Sequence, residues 1–231
     1  MKSIAIIPAR GGSKRIPQKN VKEFYGKPVI AYTIERALKS GLFEDVIVST
    51  DDSQIASIAR EFGATCSYPR SAELADDYSS TVSVIQSEMW KLGSNFKSVE
   101  NICCMYPATP LLQDQYLAEG LDLIGDNQWD YVFTAVEFKI PFLRNFQLSK
   151  TRDVSMFFPQ FEHSRSQDLP ISYQDAGQFY WGKREAWELG KPIFTSKSTI
   201  VQLPENEVID IDTFEDWETA EKLFEARRRY F

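Results

Sequence analysis

The feature that most constrains this chain is a short apolar segment that runs directly into a basic, glycine-containing loop. Residues 4–7 are apolar and mostly β-branched (Ile-Ala-Ile-Ile), which predicts a strand buried in a sheet. The loop leaves the carboxyl end of that strand, where open α/β sheets bind their ligands. The segment therefore predicts an α/β fold with a binding site formed by an early part of the chain.

The loop carries positive charge in a chain whose formal net charge is −7. Gly11 and Gly12 allow backbone amides to come close to a ligand, and such amides with Lys and Arg form sites for polyanions such as a triphosphate. The spacing fits neither the P-loop nor the dinucleotide fingerprint. A solvated loop is the alternative, but its cations would then repel one another. The basic residues of the loop, with no acid among them until Glu23, are Arg10, Lys14, Arg15, Lys19 and Lys22.

Further along, short apolar segments alternate with segments of helical periodicity. The short segments predict strands at residues 46–48, 65–68, 102–105 and 131–136. Strands that alternate with helices are typical of a parallel sheet with crossover connections. We therefore expect a three-layer α/β fold with a mostly parallel sheet, in a single domain that spans residues 1–231.

Composition restricts the partners and the location of the protein. The acidic net charge argues against nucleic acid as a partner. The sequence contains no apolar run of about 18 residues, so it predicts no membrane span. A signal peptide has a continuous apolar stretch, whereas Pro8 and Arg10 interrupt the first apolar segment of this chain. The three cysteines have neither the number nor the spacing of a disulfide framework or a zinc site. We expect a cytoplasmic protein with no nucleic-acid or membrane partner.

Two aspartates near the end of the chain form a candidate metal site. Residues 208–213 read as a strand, on which Asp210 and Asp212 would project to the same side, roughly 7 Å apart. Close carboxylates repel each other unless a cation or a proton relieves them. Carboxylates beside phosphates indicate Mg²⁺. Capping of the final helix by Asp212 or Thr213 is the alternative reading.

Two of these motifs resemble a known family. Residues 8–20 (Pro-Ala-Arg-Gly-Gly-Ser-Lys-Arg-Ile-Pro-Gln-Lys-Asn) are similar to the signature of the cytidylyltransferases that activate nonulosonic acids, the CMP-sialic acid synthetases (acylneuraminate cytidylyltransferases) and their relatives. Residues 209–213 match the family's Ile-Asp-Ile-Asp-Thr. The resemblance implies a nucleotide-diphospho-sugar transferase (Rossmann-like) fold. It also implies transfer of CMP from CTP to a 2-keto sugar acid, with Mg²⁺ as cofactor and diphosphate as product.

By this resemblance, the basic loop would hold the triphosphate of CTP, and a second polar stretch, residues 70–81, would hold the nucleoside. A polar loop with hydroxyl caps is the alternative for that second stretch. The residues expected to contact CTP are Arg10, Gly11, Ser13, Lys14, Lys19, Asn20, Arg70, Ser79, Ser80 and Thr81. The residues expected to act in catalysis are Arg10, Lys14, Asp210 and Asp212, and the two aspartates would also bind Mg²⁺.

The sugar is indicated by two departures from the sialic acid enzymes. Those enzymes usually carry Gln at the end of a central strand, where this chain has Tyr106, and residues 175–181 (Asp-Ala-Gly-Gln-Phe-Tyr-Trp) resemble the branch that acts on pseudaminic acid. Pseudaminic acid is therefore the first choice, followed by legionaminic, N-acetylneuraminic and Kdo sugars. The residues expected to contact the sugar are Tyr106, Arg165, Gln174, Asp175 and Gln178.

Residues 137–172 interrupt the α/β pattern with phenylalanines interleaved with basic residues. Aromatic residues and Arg are enriched at the cores of protein interfaces, and the family uses a corresponding insertion to dimerise. We expect a small dimerisation arm that also contributes to the sugar site, with a satellite core under a loop as the alternative. Two other functions are open at this point, a non-catalytic nucleotide-binding module and a transferase that uses another nucleotide such as UTP.

Overall fold

The architecture follows from ten strands and six helices that a computed structural model defines within residues 2–66, 69–74, 79–93 and 98–230. The strands are β1 (Ser3–Pro8), β2 (Glu23–Phe24), β3 (Lys27–Pro28), β4 (Asp45–Ser49), β5 (Asn101–Met105), β6 (Tyr131–Phe138), β7 (Phe146–Leu148), β8 (Val154–Met156), β9 (Ser172–Lys183) and β10 (Ser198–Leu203). The helices are α1 (Val29–Ser40), α2 (Ser53–Glu61), α3 (Thr81–Leu92), α4 (Asp114–Gly125), α5 (Arg184–Glu188) and α6 (Phe214–Tyr230).

Six strands form a central sheet in the order β10-β6-β9-β5-β1-β4. Strand β1 is parallel to β4 and to β5, and β10 is parallel to β6, whereas β9 is antiparallel to both of its neighbours. The prediction of a mostly parallel sheet is confirmed, as are strands close to residues 4–7, 46–48, 102–105 and 131–136.

The strand predicted at residues 65–68 is wrong in the part that the structure describes. Thr65 forms only an isolated bridge with Ile47, and Pro69 forms another with Thr50; residues 67–68 lie outside the described residues. The hydrogen bonds Val48 N–H to Thr65 O (2.9 Å) and Thr65 N–H to Val46 O (2.8 Å) therefore make a short contact at the sheet edge rather than a strand.

Helices cover both faces of the sheet and give the predicted three layers. Ile7 packs on one face in a cluster with residues of α1, α2 and α4, and Ile6 packs on the other face with residues of α3 and α5. Because successive side chains of a strand point to opposite faces, a strand buried on both faces is apolar throughout. This burial explains the continuous apolar segment at residues 4–7.

A third apolar cluster brings the basic loop and the aspartate segment together. Ile16, from the loop, and Ile211, from between the two aspartates, are 0% and 1% exposed and pack in one cluster with Phe24 and Trp217. Each charged segment therefore contributes an apolar residue to a shared core. This packing fixes the basic side chains and the aspartates on the same side of the molecule.

The predicted strand at residues 208–213 is wrong. Residues 208–212 run as an irregular segment, and α6 begins at Phe214. Asp216 Oδ2 accepts hydrogen bonds from the backbone N–H groups of Asp212 (3.0 Å) and Thr213 (2.7 Å), while Thr213 Oγ1 accepts one from Asp216 N–H (3.2 Å). This reciprocal arrangement is a capping box, so Thr213 takes the capping role that sequence left as the alternative.

The excursion between β6 and β9 contains an antiparallel hairpin of β7 and β8. We call residues 139–171 the arm. Phe146 pairs with Met156, and Leu148 pairs with Val154, so all four side chains lie on one face of the hairpin. Phe146, Leu148 and Val154 are 61–63% exposed.

Among the described residues, no helix combines the length and the hydropathy that a membrane span requires.

Candidate active site

A cleft of about 580 Å³ lies at the carboxyl ends of β1 and β5. It combines the basic loop, the second polar stretch, the end of β5 and one of the two aspartates, which are far apart in sequence. Its lining residues are Pro8, Arg10, Ser13, Lys14, Arg15, Lys19, Asn20, Arg70, Leu74, Ser79, Thr81, Val84, Tyr106, Pro107 and Asp212.

Gly11 fixes the basic loop against the turn that follows β4. Its N–H donates to Asp51 Oδ1 (3.0 Å). A Cβ atom at this position would lie 2.8 Å from Asp52 Oδ2 and 2.9 Å from Asp52 Cβ, closer than side chains tolerate. Asp52 cannot withdraw freely, because its Oδ1 accepts from the N–H groups of Gln54 (2.8 Å) and Ile55 (3.0 Å) at the start of α2. Only glycine allows this close approach.

Asn20 presents an unsatisfied acceptor where it lines the cleft. The residue is 5% exposed, and its Nδ2 donates to Arg10 O (3.0 Å), which holds the loop in place. Its Oδ1 is buried without a hydrogen-bond partner within the described part of the chain. A buried acceptor without a partner costs about 1–3 kcal/mol. A donor group on a ligand would relieve this cost.

Asp212 is held by two cations of the basic loop. Arg15 Nη2 lies 2.7 Å from Asp212 Oδ1, and Lys19 Nζ lies 3.6 Å from the same oxygen. Lys19 Nζ also donates to Ile211 O (2.6 Å). The loop and the aspartate segment are therefore joined by direct contacts as well as by their shared apolar cluster.

Asp210 faces a second, smaller cavity of about 280 Å³ on the other side of the same segment. The walls of that cavity partly desolvate the Asp210 carboxylate and raise its pKa; the negative charges of Asp212 and Asp175 act in the same direction, while Lys19 and Arg15 oppose them. The cavity is lined by Val136, Glu137, Phe138, Lys139, Ile140, Gln174, Asp175, Ala176, Glu205, Val208, Ile209 and Asp210.

Gly177 lies between Tyr106, which lines the larger cleft, and Asp210, which lines the smaller cavity. Gly177 has φ +58°, and a Cβ atom there would lie 3.6 Å from Asp210 Oδ2 and 3.8 Å from Tyr106 Cδ2. Tyr106 lines the larger cleft, and its hydroxyl lies 3.3 Å from Thr81 Oγ1. Asp175 is held by Gly177 N–H (3.0 Å) and by the hydroxyl of Tyr180 (2.5 Å). The predicted sugar residues Tyr106, Gln174 and Asp175 are thus placed around a boundary formed by the aspartate segment.

Four predicted site residues lie outside both cavity linings, namely Gly11, whose contacts are given above, Gln178, Ser80 and Arg165. Gln178 is buried, and its Nε2 donates to Ala176 O (2.8 Å), so it supports the wall from behind. Ser80 caps α3 by accepting from Ser83 N–H (3.1 Å). Arg165 is exposed in the arm and pairs with Asp168 (2.8 Å). Both Gln178 and Ser80 make structural contacts. The side-chain amide of Gln178 donates to a backbone carbonyl, and the hydroxyl of Ser80 accepts from the backbone at the start of a helix, so both groups form their hydrogen bonds locally.

The sequence reading did not assign several residues that the structure brings into or behind the cleft. Arg15 contacts Asp212, although sequence identified it only as one of the loop cations. Leu74 and Val84 form part of the apolar wall. Ser49 and Glu88, which lie behind Arg70, carry no signal in the sequence because a single Ser and Glu in separate elements form no motif.

Asp210 and Asp212 are of the residue type that would hold a magnesium ion beside phosphates. The two carboxylates flank Ile211, with Asp212 in the lining of the larger cleft and Asp210 in that of the smaller cavity. Desolvation first, and then repulsion from Asp212 and Asp175, raise the pKa of Asp210. No cluster of three or more His, Cys, Asp or Glu side chains suited to a metal occurs in the described ranges. Mg²⁺ is often held by only one or two carboxylates, with substrate phosphates and water completing its octahedron.

Comparison with known proteins gives a consistent result. A family model described as Cytidylyltransferase matches residues 4–231. The chain is 43% identical over 226 residues to the pseudaminic acid cytidylyltransferase of Campylobacter jejuni subsp. jejuni serotype O:2, covering 98% of this chain and 97% of that protein.

Two further similarities extend this result. The chain is 40% identical over 215 residues to a Helicobacter pylori protein named pseudaminic acid cytidylyltransferase and UDP-2,4-diacetamido-2,4,6-trideoxy-beta-L-altropyranose hydrolase, covering 93% of this chain and 41% of that protein. The solved structure of a CMP:2-keto-3-deoxy-manno-octonic acid synthetase complexed with CTP has a TM-score of 0.73 at 18% identity, covering 98% of this chain and 100% of that one. That likeness shows a shared fold.

Proposed function

The chain belongs to the cytidylyltransferase family, and on that premise we propose that it converts CTP and pseudaminic acid to CMP-pseudaminic acid and diphosphate. The observation that carries this proposal is the meeting of the basic loop and the Asp210–Asp212 segment at one cleft, with a second cavity directly across that segment. A nucleotide in the larger cleft and a sugar acid in the smaller cavity would meet at the aspartates.

The larger cleft suits CTP in charge and in shape. Arg10, Lys14 and Lys19 would hold the triphosphate, with Gly11 and Ser13 shaping the loop around it. The unpartnered Oδ1 of Asn20 would accept a hydrogen bond from the nucleoside. The other residues assigned to the nucleoside pocket are Arg70, Ser79 and Thr81.

The reaction requires mainly positioning and neutralisation of charge. The anomeric hydroxyl oxygen of the sugar acid forms a bond to the α-phosphorus of CTP, the bond from that phosphorus to the bridging oxygen breaks, and the hydroxyl proton is released. Arg10 and Lys14 would stabilise the charge on the departing diphosphate. Asp210 and Asp212 would hold Mg²⁺, which when bound would offset negative charge at the reacting phosphate. Orientation of the two substrates supplies much of the remaining rate enhancement.

The identity of the sugar is supported by the polar groups around the smaller cavity. Gln174 and Asp175 line it, and Tyr106 stands at its boundary with the nucleotide cleft. Polar groups that a substrate buries discriminate strongly against ligands that would leave them without a partner. The relatives from Campylobacter and Helicobacter bear pseudaminic acid in their names. The same reaction on legionaminic or N-acetylneuraminic acid is the second candidate.

A homodimer formed through the arm is part of the proposal. The hairpin of β7 and β8 exposes Phe146, Leu148 and Val154 on one face, and an isolated two-stranded hairpin has marginal stability in water. A second copy of the chain would cover this face and could bring Arg165, which lies in the same arm, to the sugar site of its partner. A cytoplasmic location, where CTP is made and used, completes the proposal.

The direct test is a matrix of nucleotides and acceptors. Purified protein with Mg²⁺ is mixed with CTP, UTP, ATP or GTP and with pseudaminic, legionaminic, N-acetylneuraminic acid or Kdo, and diphosphate release and the CMP-sugar mass are measured. We expect the highest kcat/KM for CTP with pseudaminic acid, and no turnover after removal of Mg²⁺ with EDTA. A higher kcat/KM with another acceptor would reassign the sugar, and absence of diphosphate release with every pair would support a non-catalytic module.

A further inference from the structure

We propose that Glu88, a buried carboxylate on α3, is a positioning residue for CTP that acts on Arg70 through the hydroxyl group of Ser49. The inference rests on the proposed function, because it takes Arg70 to be a contact of the nucleotide. No sequence motif includes Glu88, and the residue lies behind the cleft wall rather than in it.

Among the described residues, the guanidinium of Arg70 makes its two short hydrogen bonds to one residue at the end of β4. Arg70 is 7% exposed and lines the nucleotide cleft. Its Nη2 donates to Ser49 O (2.6 Å), and its Nε donates to Ser49 Oγ (3.1 Å). A third, longer contact joins Nη1 to Leu74 O (3.5 Å). The two short bonds fix the plane of the guanidinium, and one of them depends on a hydroxyl group that can rotate.

Glu88 determines which way that hydroxyl group points. Glu88 is 4% exposed, and its Oε1 accepts from Ser49 Oγ (2.7 Å) and from Lys91 Nζ (2.9 Å). An ionised carboxylate only accepts hydrogen bonds, and a guanidinium only donates them. The Ser49 proton must therefore point to Glu88, which leaves an oxygen lone pair directed at Arg70 Nε–H. Without the carboxylate, the proton is free to rotate towards the guanidinium and break that bond.

Charge supports the same assignment. Burial lowers the pKa of Arg70, and the nearby positive charge of Arg10 lowers it further, whereas Asp51 and Glu88 act to raise it. Arg10 and Arg70 both line the cleft, so their charges repel each other until a triphosphate enters. Glu88 offsets part of this repulsion from behind, without placing a carboxylate in the cleft where it would repel the nucleotide.

A purely structural role is the competing explanation. Glu88 and Lys91 are three residues apart on one helix, and Lys91 Nζ also donates to Pro69 O (3.3 Å). In that case Glu88 would only fasten α3 to the neighbouring loop. Its removal would then lower the thermal stability but leave the affinity of the folded protein for CTP unchanged.

The experiment is a double-mutant cycle read out by CTP binding. Calorimetric Kd values for CTP, without acceptor, are measured for Glu88→Met, which removes the acceptor oxygen at similar side-chain size, Ser49→Ala, the double variant and Arg70→Gln. We expect the Kd of each of the first two variants to rise about five- to tenfold, the size expected for one hydrogen bond. We expect the double variant to be no weaker than Ser49→Ala alone, because Glu88 acts through Ser49. The KM for CTP should rise in parallel, while the KM for the acceptor stays close to that of the unaltered chain.

Controls separate the possible outcomes. Glu188→Gln removes a carboxylate from a helical ion pair with Arg184 (2.6 Å) on α5, and its Kd should be unchanged. Equal losses from Glu88→Met with and without Ser49→Ala would overturn the proposal, as would an unchanged Kd for Glu88→Met beside a weakened Arg70→Gln. An unchanged Kd for Arg70→Gln would overturn the placement of Arg70 at the nucleotide, and the role of Glu88 with it. Ser49→Ala keeps the test valid if Glu88→Met does not fold, because an unchanged Kd for Ser49→Ala would also overturn the proposal.

Discussion

At the scale of single residues, Gly11 shows how one position sets the shape of the basic loop. Gly11→Ala would place a methyl group 2.8 Å from Asp52 Oδ2. Because Asp52 is held by its helix-capping bonds, the loop must move instead. We expect the Kd for CTP to rise at least about tenfold, since one displaced hydrogen bond accounts for roughly that factor, with an unchanged circular dichroism spectrum.

Gly12→Ala is the matched control for that variant. A Cβ atom at Gly12 would meet nothing within 4 Å, and both substitutions lower the entropy of the unfolded chain by the same amount. A loss of CTP affinity as large for Gly12→Ala as for Gly11→Ala would show that backbone freedom, rather than the contact with Asp52, fixes the loop.

Asp212 and Asp216 lie four residues apart and are expected to have separate roles. Asp212 pairs with Arg15 at 2.7 Å, and its side chain is 32% exposed, so the pair contributes little to stability. For Asp212→Asn we expect kcat to fall by about 10²-fold or more, the usual size for loss of one charge-stabilising group, with thermal unfolding nearly unchanged. Wild-type turnover by this variant would remove Asp212 from the metal site.

Asp216→Ala should have the opposite effect. Hydrogen bonds from Thr213 and from the Asp212 N–H lower the pKa of Asp216, although partial desolvation opposes them. Loss of the capping box should cost about 1 kcal/mol of unfolding free energy near neutral pH, measured by urea denaturation. Because the folded-state pKa is lowered, this contribution is present above the unfolded carboxyl pKa of about 3.9 and disappears as the pH falls through the lower folded value. An equal difference in acid would contradict this assignment.

At the scale of elements, Thr33 shows how a helix positions the end of a neighbouring strand. Its Oγ1 in α1 lies 3.0 Å from Pro107 O, 3.2 Å from Tyr106 O and 2.8 Å from Thr109 Oγ1. Thr33→Val keeps the shape but removes the hydroxyl donor to Pro107 O, while Thr109 Oγ1 can still donate to Tyr106 O (3.3 Å), so we expect a cost of about 1–3 kcal/mol. We expect a lower urea midpoint, and a higher KM for the acceptor because Tyr106 lies at the boundary of the two cavities.

Thr219→Val provides a control of the same shape on an exposed surface. Thr219 lies in α6, and its hydroxyl donates only within its own helix, to Glu215 O (2.8 Å). We expect a change of less than about 0.5 kcal/mol, as for most surface substitutions. A similar loss for both variants would mean that the β-branched hydroxyl, and not the bonds to the strand end, accounts for the effect.

The sequence predicts elements well where their burial is uniform. Strands β1, β4, β5 and β6 are apolar because helices cover both faces, so their residues alone reveal them. Strand β9 is harder, because Ser172–Asp175 are largely exposed and polar, and Gly177 has a positive φ. In the aspartate segment, by contrast, the sequence pattern predicts a strand that does not form. Residues 208–213 alternate as in a strand, but the packing of Ile211 with Trp217 and the cap on α6 determine the path of the backbone.

At the scale of the whole molecule, the meeting of the two charged segments follows from packing that no local pattern encodes. Sequence could assign a triphosphate loop and a carboxylate pair, but their proximity depends on Ile16 and Ile211 entering one cluster. The division into two cavities depends equally on strand order, since β9 places Asp175 beside β6 and opposite Asp210. Motifs therefore identify the chemistry, and the long-range packing determines which substrate faces which group.

The last prediction concerns the assembly, and the hairpin provides both the test and its control. Leu148 lies on the apolar face of β7 and is exposed, whereas the side chain of Gln147, next to it on the same strand, points to the other face. A charge buried in an interface is strongly unfavourable, so Leu148→Asp should convert a dimer to a monomer in sedimentation velocity runs, while Gln147→Asp should remain dimeric. Because residues 138–140 at the base of the arm line the smaller cavity, the monomeric variant should show a higher KM for the acceptor with a similar Kd for CTP. A wild-type chain that sediments as a monomer would exclude the arm as a dimer interface and require another partner for its apolar face.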